Sequence, residues 1–241
     1  MRQWLTYGIL ILVVLAMLPS PGQAREVTIT RVDPSTIQEP LGSRAPSATC
    51  EVGNVNPAYW AIGGFLAPPE RYAVSFRPSD SSCGTCPLGY QVSTVRILLQ
   101  TSRAMTIVMS VGLQSATFPT DPGCAAPGPE ECVDGPYQVN LPSAGLWNIG
   151  LPISCDCAFK EFAYLLSVDF QSVTGGTPDL ITDNFPGPCT SWNDYGTGWV
   201  DLVATAGFPG NLRIWAEADC CEVPVGTHEE SMGGLKERFK D

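Results

Sequence analysis

The chain reads as an all-β protein, a single disulfide-stabilised β-sandwich of jelly-roll-like type, and three features predict this. Ten cysteines lie downstream of an apolar N-terminal leader. Glycine and proline, 24 and 22 residues, interrupt the chain so often that short strands joined by tight turns are the fitting structure. Between these breaks, apolar residues recur with a period of two, the spacing of a strand with one buried face.

Met1 and Arg2 give the leader a positive start, Trp4 to Leu18 is an apolar run, and Gly22-Gln23-Ala24 is a small-x-small site that a signal peptidase accepts. Residues 1–24 are therefore expected to be a signal peptide, with Arg25 the first mature residue. The apolar run is shorter than the roughly twenty residues a membrane helix needs, so no transmembrane span is expected in the mature chain. Export places the cysteines in an oxidising compartment, secreted or at the cell surface, where five bridges are the default. The leader's only charged residue is Arg2, so its removal takes the net charge from -11 to -12. Such a surface repels nucleic acid and anionic membranes.

Residues 25–49 read as a loose lead-in, with a candidate edge strand over Glu26 to Val32. Residues 50–221 read as one sandwich domain. Its strands are expected at Tyr72 to Phe76, Tyr90 to Gln100, Met105 to Leu113, Tyr137 to Leu141, Trp147 to Leu151, Phe162 to Phe170, Trp199 to Val203 and Asn211 to Ala218. Phe118 to Gly135 reads as a proline and glycine loop. In the last strand Leu212, Ile214, Ala216 and Ala218 share a face with Cys220, while Trp215 and Cys221 take the other. Cys220 and Cys221 should therefore reach different partners. Residues 222–241 read as a flexible C-terminal tail.

Closeness in sequence favours Cys83 with Cys86 and Cys124 with Cys132. Cys157 with Cys189, and Cys50 with Cys220 or Cys221, are the further expected pairs, which leaves Cys155 and the other of Cys220 and Cys221 unassigned. Zinc competes poorly, because only Cys83 and Cys86 have knuckle spacing and Cys155-Asp156-Cys157 is too tight. A redox role for Cys83 and Cys86 is disfavoured too: Pro87-Leu88-Gly89 leads into a strand, not into the helix whose dipole would activate a thiol.

His228 is the sole histidine and lies in the tail, which argues against a Ser or Cys triad. No Gly-x-Ser-x-Gly elbow, His-Glu-x-x-His helix or phosphate loop occurs. The richest polar stretch runs from Pro178 to Asn184 and from Ser191 to Trp199. Asp183, Asn184, Asn193 and Asp194 carry the hard oxygens that calcium takes, and Trp192 and Tyr195 have rings that stack on sugars. Against that reading, Asn and Asp also bond their own backbone in turns, and structure is the favoured explanation. The expected function is a secreted, non-catalytic extracellular or cell-surface module whose ligand is a glycan, calcium or a cell-surface protein. The alternatives are a hydrolase using paired carboxylates, which need no motif, and a structural subunit of an extracellular assembly. The tail carries Met232, Leu235 and Phe239 at spacings that one helix face would align, beside Lys236, Arg238 and Lys240, and is expected to dock onto another component.

Four blocks, Arg71 to Pro78, Cys83 to Gln100, Asp179 to Trp199 and Gly210 to Ala216, resemble those of uncharacterised secreted bacterial proteins with a cysteine-rich sandwich module. The segment Met232 to Lys240 resembles their short tails of the form aromatic-Gly-x-aliphatic-Lys-x-x-aromatic-basic, with Met232 in place of the first aromatic. The resemblance implies a jelly-roll-like sandwich and an extracellular location, and no catalytic residue.

Overall fold

The structure, a computed structural model, describes residues 28–40, 50–118, 124–159 and 162–221. The expected signal peptide and tail lie outside these residues. Two sheets pack against each other. The first is built on β6 (Tyr90–Thr101). Along one side of β6 runs β9 (Gly145–Pro152), antiparallel, with the short β2 (Ile37–Gln38) added in parallel. The other side of β6 is shared end to end: β14 (Ile214–Cys220) pairs over Tyr90 to Ile97, and β11 (Asp179–Thr182) pairs at Leu99 and Gln100. From β14 the sheet continues to β3 (Cys50–Gly53), and from β11 to β4 (Trp60–Gly63) and β1 (Thr28–Arg31). The sheet therefore forks beside β6.

The second sheet is antiparallel throughout. Its order is β13 (Trp199–Asp201), β12 (Ser191–Asp194), β5 (Glu70–Phe76), β10 (Tyr164–Thr174), β7 (Met105–Thr117), β8 (Ala126–Leu141). From β4 onward the chain changes sheet at most of its connections, as in a jelly roll.

Alternation decides what each strand buries. Tyr72 and Val74 of β5, Leu166, Val168 and Phe170 of β10, and Met109 and Val111 of β7 share one core with Val95, Ile97 and Leu99 of β6 and Ile214 and Ala216 of β14. Each fully buried aliphatic or aromatic side chain contributes about 1.5–3 kcal/mol. A second apolar layer covers the outer face of the forked sheet, where Leu98, Ile181 and Trp215 meet Leu146, Val32 and Ala58. Arg96 is also buried there against Glu217, with Glu39 at 3.5 Å. The segment read as a lead-in thus supplies two strands, Val32 and Glu39 to the sandwich.

Three expectations are corrected. The proline and glycine stretch from Phe118 to Gly135 is not all loop: β8 begins at Ala126 and pairs with β7 through three register shifts. Its prolines are tolerated because β8 is an edge strand and the bulges absorb the missing donors. The strand expected over Trp199 to Val203 stops at Asp201, whose Oδ1 accepts the amides of Val203 and Ala204 and so starts α1 (Leu202–Ala206). Gly207, at φ 67°, ends that helix in the left-handed region.

The third correction concerns the cysteines, which form Cys50–Cys83, Cys86–Cys220, Cys124–Cys189, Cys132–Cys155 and Cys157–Cys221. Cys83 and Cys86 do not bond each other. They sit three apart on a 3-10 turn, Ser82–Thr85 and its cap, where positions i and i+3 stack along one side, and both reach the neighbouring strands β3 and β14. Cys124 does not meet Cys132, since the extended backbone from Ala126 to Cys132 alone spans about 20 Å, and a bridge needs Cα atoms within about 7 Å. Cys189 takes Cys124 instead of Cys157. Cys50 lies on β3 beside β14 yet takes Cys83, and Cys220 takes Cys86. The vicinal Cys220 and Cys221 go to different partners, Cys86 and Cys157.

Candidate functional site

The six residues singled out from the sequence divide between two places. Asp183 lies at the fork, fully buried. Its Oδ2 accepts the side-chain amides of Asn54 at 3.0 Å and Asn56 at 2.8 Å, and its Oδ1 accepts the backbone amides of Phe185 at 2.9 Å and Asn211 at 2.8 Å. Asn54 also donates to the Asn211 and Leu212 carbonyls, and the Arg213 guanidinium donates to the Asn54 carbonyl. Burial lowers the Arg213 pKa to about 10, against Asp183 and Glu51, which raise it. A Cβ on Gly210 would collide with the Asp183 carbonyl, so glycine there permits the close approach of the two segments. Asp183 therefore closes the notch where β11 and β14 part, with its four bonds made inside the protein. Asn184 is exposed and accepts the Trp60 indole N–H at 3.1 Å.

The other four lie on the second sheet. Trp192 is 7% exposed, packed with Ala73, Leu165 and Ala126 beside the Cys124–Cys189 bridge, so its face is not open to a sugar. Asn193 is buried and donates to the Arg71 carbonyl at 3.0 Å. Asp194 and Tyr195 do share a surface. It is organised by Arg71, on the outward face of β5 because the next residue, Tyr72, points into the core. The Arg71 guanidinium lies 5.0 Å from the Trp199 ring centroid, 2.7 Å from Glu130 and 3.3 Å from Asp194. Asp194 Oδ1 accepts the amides of Gly196 at 2.8 Å and Gly198 at 3.1 Å, which fixes the turn carrying the exposed Tyr195. Both glycines have positive φ, 91° and 108°.

Asp169 of β10 is the register partner of Arg71 on one side, as Asp194 of β12 is on the other. With two strand spacings between them, their backbones stand about 10 Å apart. Burial raises the Asp169 pKa, Arg71 opposes this and Glu130 reinforces it. Burial also pushes Asp194 up, but the two glycine amides and Arg71 outweigh it and its pKa is lowered. Arg71, Glu130, Asp169 and Trp199 were not chosen from the sequence. The signal was present for Arg71 and Asp169, since both interrupt apolar alternation on the outward face, but their convergence depends on strand order.

A raised acid stabilises the fold below its unfolded pKa, near 3.9, and that contribution is lost as pH rises through the folded value. Asp169→Asn, which mimics the protonated form, should therefore raise the melting temperature at pH 7 and leave it nearly unchanged at pH 3. Equal shifts at both values would remove the burial argument.

A separate cavity of about 370 Å³ opens at the end of β7 and β10. Phe118, Phe159 and Phe162 line it, 45%, 57% and 60% exposed, with Phe159 and Phe162 edge to face at 6.2 Å. The disulfide-bonded Cys155 and Cys157 form part of its wall, and Glu131 and Asp156 are the acids among its described lining residues. Among the described residues no group of three or more His, Cys, Asp or Glu is placed to hold a metal ion, and no helix is long and apolar enough to cross a membrane.

No curated protein matches the sequence. Among solved structures, a chain containing the cysteine protease and lectin-like domains of Cwp84, a surface layer associated protein of Clostridium difficile, is similar with a TM-score of 0.39 and 11% identity. The match covers 67% of this chain and 34% of that one, so the protein spans about a third of its length. The family model described as a domain of unknown function, DUF7451, matches residues 49–218, which run from the residue before β3 to within two residues of the end of β14. The chain belongs to the DUF7451 family.

Proposed function

We propose that the chain is an exported, non-catalytic recognition module that binds a glycan on the outer face of its second sheet. The observation that carries this is the platform of Arg71, Trp199, Asp194 and Glu130, with Tyr195 in the adjoining turn. A sugar presents a weakly polar face to an aromatic ring and hydroxyls to charged acceptors and donors, and this surface holds both kinds of group within one constellation. Its ion pairs and the Asp194 turn hold the polar groups in place before a ligand arrives, which lowers the ordering cost of binding. Five disulfides fit an oxidising, extracellular setting.

A glycan array probed with the full mature chain, with matched calcium and chelator arms, tests the reading. Binding that Trp199→Ala weakens by about 30-fold, the loss of roughly 2 kcal/mol typical of a central tryptophan, is expected. The chelator arm decides whether calcium takes part. No binding in either arm, or binding unaffected by Trp199→Ala, overturns the proposal.

A second reading has its own support. Asp169 and Asp194 are carboxyls on one face with pKa values pushed in opposite directions, the pattern of an acid and its partner in glycoside hydrolysis. Release of reducing ends from a bound glycan, abolished by Asp169→Asn, would favour it over simple binding.

A further inference from the structure

We propose that the phenylalanine cavity is the docking site of the chain's own C-terminal segment, Met232 to Lys240, held in cis. This is independent of the sheet-face reading. The last described residue, Cys221, is bonded through sulfur to Cys157 in the wall of this cavity, and its amide donates to the Gly89 carbonyl at 3.0 Å. Disulfide and main-chain bond together fix the point from which the chain departs, and that point is at the cavity. Ten residues separate Cys221 from Met232, enough to span up to roughly 35 Å extended, so the segment reaches the cavity without strain. A tether this short holds the local concentration of the segment in the millimolar range.

The chemistry of the two surfaces is complementary. The cavity offers three exposed phenylalanine rings, and the segment offers Met232, Leu235 and Phe239, its large apolar side chains. Glu131 and Asp156 lie at the cavity, and Lys236, Arg238 and Lys240 place cations within a chain of net charge -11. Covering the rings removes apolar surface from water, and the ion pairs fix which way the segment lies.

Two measurements on the full chain test this. With a photo-crosslinking phenylalanine analogue in place of Phe239, irradiation should give intrachain crosslinks to the peptide containing Phe159 and Phe162. Crosslinks between chains, to another part of the sandwich, or to nothing overturn docking in cis. In the second, trypsin cleavage after Lys236 and Arg238 should be at least 10-fold faster in the variant Phe159→Asp/Phe162→Asp than in the parent chain. Both phenylalanines are more than half exposed, so the variant should fold, and an unchanged melting temperature verifies it. Equal cleavage rates at equal melting temperature reject the proposal.

Discussion

Asp183→Ala is expected to destabilise the protein by about 3–5 kcal/mol, the range for breaking a buried charged network by removing one partner. The substitution strands the side-chain amides of Asn54 and Asn56 and the backbone amides of Phe185 and Asn211, and it removes a countercharge from the buried Arg213. A donor left buried without an acceptor loses its bond and also bears the cost of having left water. The damage should concentrate at the fork, so hydrogen exchange should rise first around β11 and at the start of β14. Urea unfolding gives the magnitude, and a loss below about 1 kcal/mol would mean that water or a rearranged side chain replaces the carboxylate.

Removing the Cys86–Cys220 bridge by a double substitution to serine should cost about 4 kcal/mol, the loop-closure value for the roughly 50-residue loop that it closes while the Cys132–Cys155 and Cys157–Cys221 bridges stay intact. The bridge ties the 3-10 turn before β6 to the end of β14, beside the Cys50–Cys83 bridge, whose Cys50 sulfur lies 4.0 Å from that of Cys86. The same double substitution at Cys132 and Cys155, with a separation of 23, should cost about 3.4 kcal/mol on the same basis. Melting temperatures of the two variants at matched pH test the order. If the Cys132 and Cys155 variant is the less stable, native packing around each bridge outweighs the entropy of the unfolded chain.

Local chemistry determined which segments became strands. Alternation marked β5, β6, β7, β9, β10 and β14, because burying one face of a strand demands a period of two and no distant information. The short strands β3, β4, β11 and β12 carry too few residues for the period to show, and the first part of β8, unlike its expected end at Tyr137 to Leu141, hides behind prolines that only an edge position tolerates.

Tertiary structure decided everything that depends on which strands are neighbours. Cys83 and Cys86 look like a local pair until the turn aims both at β3 and β14. Asp183 and Asp194 look equivalent in a turn-rich stretch, yet one closes the fork of the first sheet and the other organises an exposed face of the second. Arg71 and Asp169 lie far apart along the chain and meet because β5 and β10 are neighbours, whereas Glu130 reaches Arg71 because the first half of β8 lies over the outer face of the sheet, across the intervening β7 and β10. Side-chain period is written into successive residues, whereas strand order results from the packing of the whole chain, and the candidate site is a product of strand order.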